Sequence, residues 1–220
     1  PTAPTPPVAS APGVVEGTPL AADARLEGGV IVGAAHYWFG FPARPRAGQV
    51  NVVVEVPAGT AAKFEVDHEA GVLRWEERGG APRVIDYLPY PANYGMLPRT
   101  LLPEDDGGDG DPLDVLVLGP ALPRGGVVEA RVVAVLGLLD EGEADDKLIA
   151  VPATPAYADV RDLRSLDARF RGARTILETF FSYYEGEGVT ELRGWGDAEE
   201  AEAFVDHGAA AFEAAHPEGA

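Results

Sequence analysis

The chain has 220 residues, with 17 Lys+Arg against 36 Asp+Glu and a formal net charge of -19. At roughly 150 residues per domain this allows one generous domain or a domain with a tail, and no run approaches the roughly 20 apolar residues of a membrane span. The negative field repels phosphate backbones and argues against general nucleic-acid binding, while the absence of cysteine removes disulfides, thiolate metal sites and a thiol nucleophile together.

Residues 1-29, opening PTAPTPPVASAPG, are rich in Pro, Ala and Gly and poor in bulky apolar side chains. They read as a flexible tail, with one domain over 30-220. The first residue is Pro, so the N-terminus as given is expected to be processed or trimmed.

From Val50 the pattern is strand-like. Val50, Val52, Val54 and Val56 alternate with Asn51, Val53 and Glu55, and Pro-Ala-Gly-Thr marks a turn before Lys63-Phe64-Glu65-Val66. A hairpin is expected here, with Lys63, Glu65 and Glu55 sharing a polar face. Further strands are expected at Val84-Leu88, Asp114-Leu118, Val127-Leu139 and Lys147-Val151, a succession that favours a small barrel. The period then changes to three and four through Leu163, Leu166, Phe170, Ala173, Leu177, Phe180 and Tyr184, predicting one long helix that stops at Gly186 and Gly188. A second helix is expected from Asp197, with Glu200 completing a capping box and Phe204, Val205 and Phe212 buried.

The densest acidic run, Asp105-Asp106-Gly-Gly-Asp109-Gly-Asp111-Pro-Leu-Asp114, runs straight into an apolar strand. Gly and Pro shape the turn so that Asp109, Asp111 and Asp114 can converge at the barrel mouth. Carboxylates forced together repel unless a hard cation neutralises them, and oxygen-only ligands suit magnesium, manganese or calcium. The run fails the spacing of an EF-hand, because Leu113 and Pro120 fall where ligands are needed. A second acidic turn, from Asp140 to Asp145-Asp146-Lys147, places Asp145 and Lys147 on one face by strand parity. Only two of the 17 basic residues are lysines, Lys63 and Lys147, a pointer to sites that need a compact point charge. His36, His68, His207 and His216 show no metal spacing and read as surface or edge residues. Trp75 and Trp195 read as packing residues, and Tyr184 should turn its ring toward the barrel.

Taken together, EVPAG with Lys63 and Glu65, YPANYG, DGDPLDVLVLG and DEGEADDKLIAVP, in this order over about residues 50-196, closely resemble the soluble inorganic pyrophosphatases of the single-domain barrel type. The resemblance implies a mainly β fold with α, a five-stranded OB-like barrel flanked by two helices. It implies hydrolysis of diphosphate to two phosphates with several magnesium ions, manganese being the alternative. By position, Asp109, Asp114 and Asp145 look like the principal metal ligands, and Asp140 like a ligand of ions arriving with substrate. Asp111 resembles the general base, taking a proton from a metal-activated water that attacks in line. Glu55 and Glu65 would orient water or other side chains. Lys63, Lys147, Arg83, Tyr94 and Tyr184 would hold the phosphates, with Arg78 as the alternative to Arg83.

The family also implies a homo-oligomer in the cytoplasm, the alternative being export or lipid anchoring through a signal absent from this sequence. One position departs from the family pattern: Tyr184 is followed by Glu185 where a phosphate-binding lysine is usual. Three consequences are open at this point: lower substrate affinity, replacement of the charge by Arg193, or a catalytically impaired metal- and phosphate-binding homologue. An extracellular calcium-binding module is the remaining reading of the acidic loops.

Overall fold

The computed structural model describes residues 18–27, 29–103, 107–140 and 142–217. Its strands are β1 (Arg25–Glu27), β2 (Val30–Val32), β3 (Val50–Val56), β4 (Phe64–Asp67), β5 (Val72–Trp75), β6 (Glu77–Arg78), β7 (Ala81–Pro82), β8 (Asn93–Met96), β9 (Asp114–Val117), β10 (Val127–Asp140), β11 (Glu143–Ala144), β12 (Lys147–Pro152) and β13 (Thr190–Gly196). The helices are α1 (Leu163–Arg169), α2 (Ala173–Tyr183) and α3 (Ala198–Ala215).

Five strands close on themselves. β3 pairs with β8, β8 with β9, β9 with β12, β12 with β10, and β10 returns to β3. The β9–β12 pair is parallel and the others are antiparallel. This is the five-stranded OB-like barrel expected from the sequence. The long β10 makes closure feasible, because Val127 to Ala130 pair with β3 and Ala130 to Leu136 with β12, while its far end carries β13 and β11. A register shift between Val132 and Ala134 bends the strand on the way. Closure also depends on Gly95 in β8, where an added Cβ would lie 1.8 Å from the Val53 carbonyl oxygen on β3.

The helices cover two sides of the barrel. Leu177, Phe180 and Phe181 of α2 pack with Leu116, Leu136, Ile149 and Tyr90. Ala201 and Val205 of α3 join Val50, Val115, Leu148 and Ala150. Phe212 reaches a third cluster with Trp38, Phe64 and Leu73, formed where the outer sheet β1-β2-β5-β4 meets the barrel.

Four local expectations are corrected. β3 and β4 do not form a hairpin: β4 pairs with β5, and both edges of β3 are taken by barrel neighbours. All seven β3 residues are buried, so its apparent alternation does not mark a solvent face. Val84-Leu88 is a loop with a single bridge from Val84 to Ala62, flanked by Pro82 and Pro89, which supply no N–H for a ladder. The long helix is two, α1 and α2, because Gly172 adopts φ 81 and opens α2; Phe170 keeps the apolar stripe continuous by packing on Tyr157. The Asp197 cap is present, its carboxylate accepting from the Glu199 and Glu200 backbone N–H groups, while Phe204 is half-buried.

Of the stretch expected to be a tail, residues 1–17 and 28 lie outside the described residues. Residues 18–27 are docked: the Arg124 N–H donates to the Pro19 carbonyl, the Ala21 N–H donates to the Arg124 carbonyl, and β1 pairs with β2. Among the described residues no helix is long and apolar enough to cross a membrane.

Candidate active site

A cleft of about 450 Å³ opens at one end of the barrel, and all twelve side chains given a catalytic or metal-binding role from the resemblance line it. Glu55 comes from the end of β3, Lys63 and Glu65 from the start of β4, Tyr94 from β8, and Asp114 from the start of β9. Asp109 and Asp111 precede β9, Asp140 ends β10, Asp145 and Lys147 open β12, Arg83 follows β7, and Tyr184 caps α2. The barrel thus gathers at one mouth residues that are far apart in sequence.

The carboxylate half is built around Lys147. Its ammonium, almost fully buried, ion-pairs with both Asp114 and Asp145. Burial alone would favour the neutral amine, but the two carboxylates outweigh it and hold Lys147 protonated. Burial raises Asp145 to about 6, opposed by Lys147 and reinforced by Asp114 and Asp140. Asp111 is raised as well, by burial and by the adjacent Asp109 charge. The Asp109 carboxylate accepts from the Asp111 backbone N–H at 2.9 Å, a turn that fixes one relative to the other, and Gly110 between them adopts φ 82. The Asp105 and Asp106 positions of the acidic run lie outside the described residues.

Glu55 is the most deeply buried acid of the cleft. It accepts from the Val66 N–H at 2.8 Å, tying barrel strand β3 to the outer strand β4, and so reaches the face shared with Lys63 although no hairpin joins them. Burial pushes its carboxyl up to about 8; Lys63 lowers it and Asp114 raises it.

The cationic half contains Lys63, Arg83 and Arg78 beside Tyr94 and Tyr184. The Lys63 ammonium sits 4.8 Å from the Tyr94 ring centroid and 3.9 Å from Glu76. The Arg83 backbone carbonyl accepts from the Lys63 N–H at 3.1 Å and from the Trp75 indole N–H at 2.9 Å, so Trp75 serves as a support for this wall as well as a core residue. The Arg83 guanidinium donates to both Glu76 oxygens at 2.8 and 2.9 Å, and it also pairs with Glu185. Tyr184 stacks on Phe180, 5.3 Å between centroids, and meets Tyr90 edge-on, as its place at the end of the helix stripe implied. Burial raises the hydroxyls of Tyr94, Tyr90 and Tyr184, which stay protonated and able to donate.

Sequence reasoning passed over His68 and Glu76. His68 read as an ordinary surface residue, yet its Nδ1 lies 3.3 Å from the Asp111 carboxylate and its ring 4.7 Å from Trp38. The β4–β5 turn carries it there, and only the packing of the outer sheet against the acidic loop brings the two together. Arg193 lines a different cleft, with Gly137 and Trp195, so it does not supply the charge absent at Glu185. Arg78 and Arg83 both line the cleft, so the sequence alternatives are both present.

The donor set suits hard cations: Asp109, Asp111, Asp114, Asp140 and Asp145 offer only oxygen. Asp140 Oδ1 is buried without a hydrogen-bond partner, an arrangement a cation would satisfy. Among the described residues no three acidic or histidine side chains already close around one point, and the Lys147 ammonium stands between Asp114 and Asp145 as their counter-charge. The residues therefore fit divalent ions by chemistry and charge, with ligands that must still converge.

A closed OB-like barrel that gathers five aspartates, two lysines and two arginines at one mouth fits a hydrolase acting on phosphoric anhydrides. The inorganic pyrophosphatase family model matches residues 52–213, and the chain belongs to that family. It is 41% identical over 172 residues to an inorganic pyrophosphatase of Leifsonia xyli subsp. xyli, covering 74% of this chain and 96% of that protein. A Synechocystis inorganic pyrophosphatase is 38% identical over 165 residues, covering 72% and 88%. The crystal structure of inorganic pyrophosphatase from Thermus thermophilus superposes with a TM-score of 0.69 at 31% identity, covering 80% of this chain and 99% of that one.

Proposed function

We propose that the cleft hydrolyses inorganic diphosphate to two phosphates through in-line attack of water on one phosphorus, with breakage of the bridging P–O bond. The reading is carried by one observation: all twelve residues given a role from the resemblance line a single cleft that combines clustered aspartates with lysine, arginine and tyrosine side chains. In it, Asp109, Asp114 and Asp145 would hold magnesium ions and Asp140 a further ion, with manganese as the alternative metal. Bound magnesium would neutralise a polyanion that an acidic cleft otherwise repels and would lower the pKa of the attacking water.

The chain's own groups do the rest. Asp111 accepts the water's proton, held in place by the Asp109 turn and flanked by His68. Glu55 and Glu65 orient the water and neighbouring side chains from the β3 and β4 side. Lys63, Arg83 and Lys147, with the protonated hydroxyls of Tyr94 and Tyr184, hold the substrate and take up the charge of the leaving phosphate. The catalytically impaired reading gains nothing over this one, because the acids needed for cation binding and proton removal all line the cleft. A homo-oligomeric assembly and a cytoplasmic location belong to the same proposal and rest on family likeness alone.

Phosphate release from diphosphate by the purified chain tests the reading. Rapid release with magnesium that stops in excess chelator and resumes on adding the metal back is the expected result; a folded chain releasing no phosphate at any magnesium concentration would overturn it.

A further inference from the structure

The cationic wall already holds an anion of its own. Each oxygen of the Glu185 carboxylate is engaged by a different guanidinium, Oε2 by Arg78 Nη1 and Oε1 by Arg83 Nη2. The Glu185 side chain is only 8% exposed although it follows the end of a surface helix, so the carboxylate is turned into the cleft. An arginine fork recognises carboxylate and phosphate oxygens by the same planar geometry, and a seat that fits one fits the other.

Glycines flank both sides of this contact. Arg78 rides on the two-stranded β6–β7 ribbon, whose turn Gly79-Gly80 has φ 63 and 79 with open space around both glycines. Glu185 is followed by Gly186 and Gly188, with φ 128 and 80. Arg83, by contrast, is pinned through its backbone by Lys63 and Trp75 and through its guanidinium by Glu76. One arginine is fixed and the other is carried by a ribbon, with an internal acid between them.

We infer that Glu185 is a built-in competitor that occupies the phosphate seat of Arg78 and Arg83 in the free protein, and that diphosphate must displace it to engage both arginines. Arg78 thereby becomes a second substrate-binding arginine, and Glu185 sets how tightly the cleft holds substrate and product phosphate. The inference rests on the cleft being a diphosphate site.

The sign of one binding change decides it. A carboxylate that competes with phosphate weakens anion binding, whereas one that merely holds the arginines in position strengthens it. Binding of methylenediphosphonate, a non-hydrolysable diphosphate analogue, and of inorganic phosphate is measured calorimetrically with magnesium for wild type, Glu185→Gln and Glu185→Lys, beside KM and kcat for diphosphate. The expected result is about tenfold tighter binding of both anions by Glu185→Gln, a parallel fall in KM, and at least as large an effect for Glu185→Lys. Arg78→Gln should cancel most of the gain when combined with Glu185→Gln. Glu187→Gln, which removes an exposed acid two residues on, should shift affinity less than twofold. Unchanged or weaker binding in both Glu185 variants, beside a wild type that turns over diphosphate, would overturn the inference while leaving the activity standing; equal tightening by Glu187→Gln would do the same. A wild type that neither binds the analogue nor releases phosphate would overturn the underlying functional reading and this inference with it.

Discussion

Lys147 and Asp114 are direct register partners on the parallel strands β12 and β9, and their side chains form an ion pair inside the cleft. A parallel pair puts equivalent residues side by side with their side chains on one face, so barrel closure, rather than loop flexibility, sets this contact. The same ammonium pairs with Asp145, two residues before it on the same face.

Lys147→Met removes a buried cation that balances two acids. In chelator at pH 8 the variant should unfold with about 3 kcal/mol less stability than wild type, because uncompensated buried charge is costly. Saturating magnesium should shrink that difference, since a bound cation restores the balance. Urea titrations with chelator and with magnesium measure both effects. Equal stability of the two proteins in chelator would show that the pair does not neutralise the site.

Asp111 is placed to receive a proton and is held by Asp109 and flanked by His68. Asp111→Asn should reduce phosphate release by about a thousandfold, within the usual range for losing a general base. It should leave most magnesium-induced thermal stabilisation intact, because Asp109, Asp114, Asp140 and Asp145 remain. Unchanged turnover in the variant would remove Asp111 from its proposed role.

Glu55 predicts an unusual pH dependence for the metal-free protein. Its folded-state carboxyl is raised by burial from an ordinary 4.5 to about 8. Below pH 4.5 both folded and unfolded chains carry the proton, and its contribution to stability is fully present. Between pH 4.5 and about 8 the unfolded chain gives up a proton that the folded chain keeps, so stability falls as pH rises through that window. Asp145, raised to about 6, adds to the lower part of the fall. Denaturation in chelator from pH 5 to 9 should show a loss on the order of a few kcal/mol, flattened in Glu55→Gln, whose side-chain oxygen still accepts from the Val66 N–H. A stability that climbs over this range in wild type would contradict the assignment.

Gly95 tests barrel closure itself. Gly95→Ala would drive a methyl group into the Val53 carbonyl oxygen, a backbone atom that cannot swing aside, and should cost at least about 3 kcal/mol. The contact separates the strands that present Glu55 and Tyr94, so any folded variant should also lose affinity for diphosphate. Thermal melts and KM measure the two effects; a melting temperature within a degree of wild type would sink the prediction.

The sequence by itself determined the chemistry. The clustered aspartates before β9 and the two surviving lysines stood out because local spacing, strand parity and turn residues act over a few positions, while the phosphate-holding roles of Tyr94 and Tyr184 came from the resemblance carried by the ordered motifs. Four of the five barrel staves, β3, β9, β10 and β12, were legible as apolar runs for the same reason, whereas β8 carries Asn93 and Gly95 behind a proline-marked turn and gave no strand pattern; β3 read as half-exposed because burial on both faces depends on partners that lie far along the chain. Tertiary structure alone decided which distant segments share the mouth. It replaced the β3–β4 hairpin by pairing across the barrel, carried His68 from an unremarkable turn to Asp111, and sent Arg193 to another cleft. It also set Glu185 between Arg78 and Arg83, a contact spanning more than a hundred residues between Arg78 and Glu185. Such contacts are fixed by barrel closure and helix docking, non-local packing for which no local pattern of residues carries a signal.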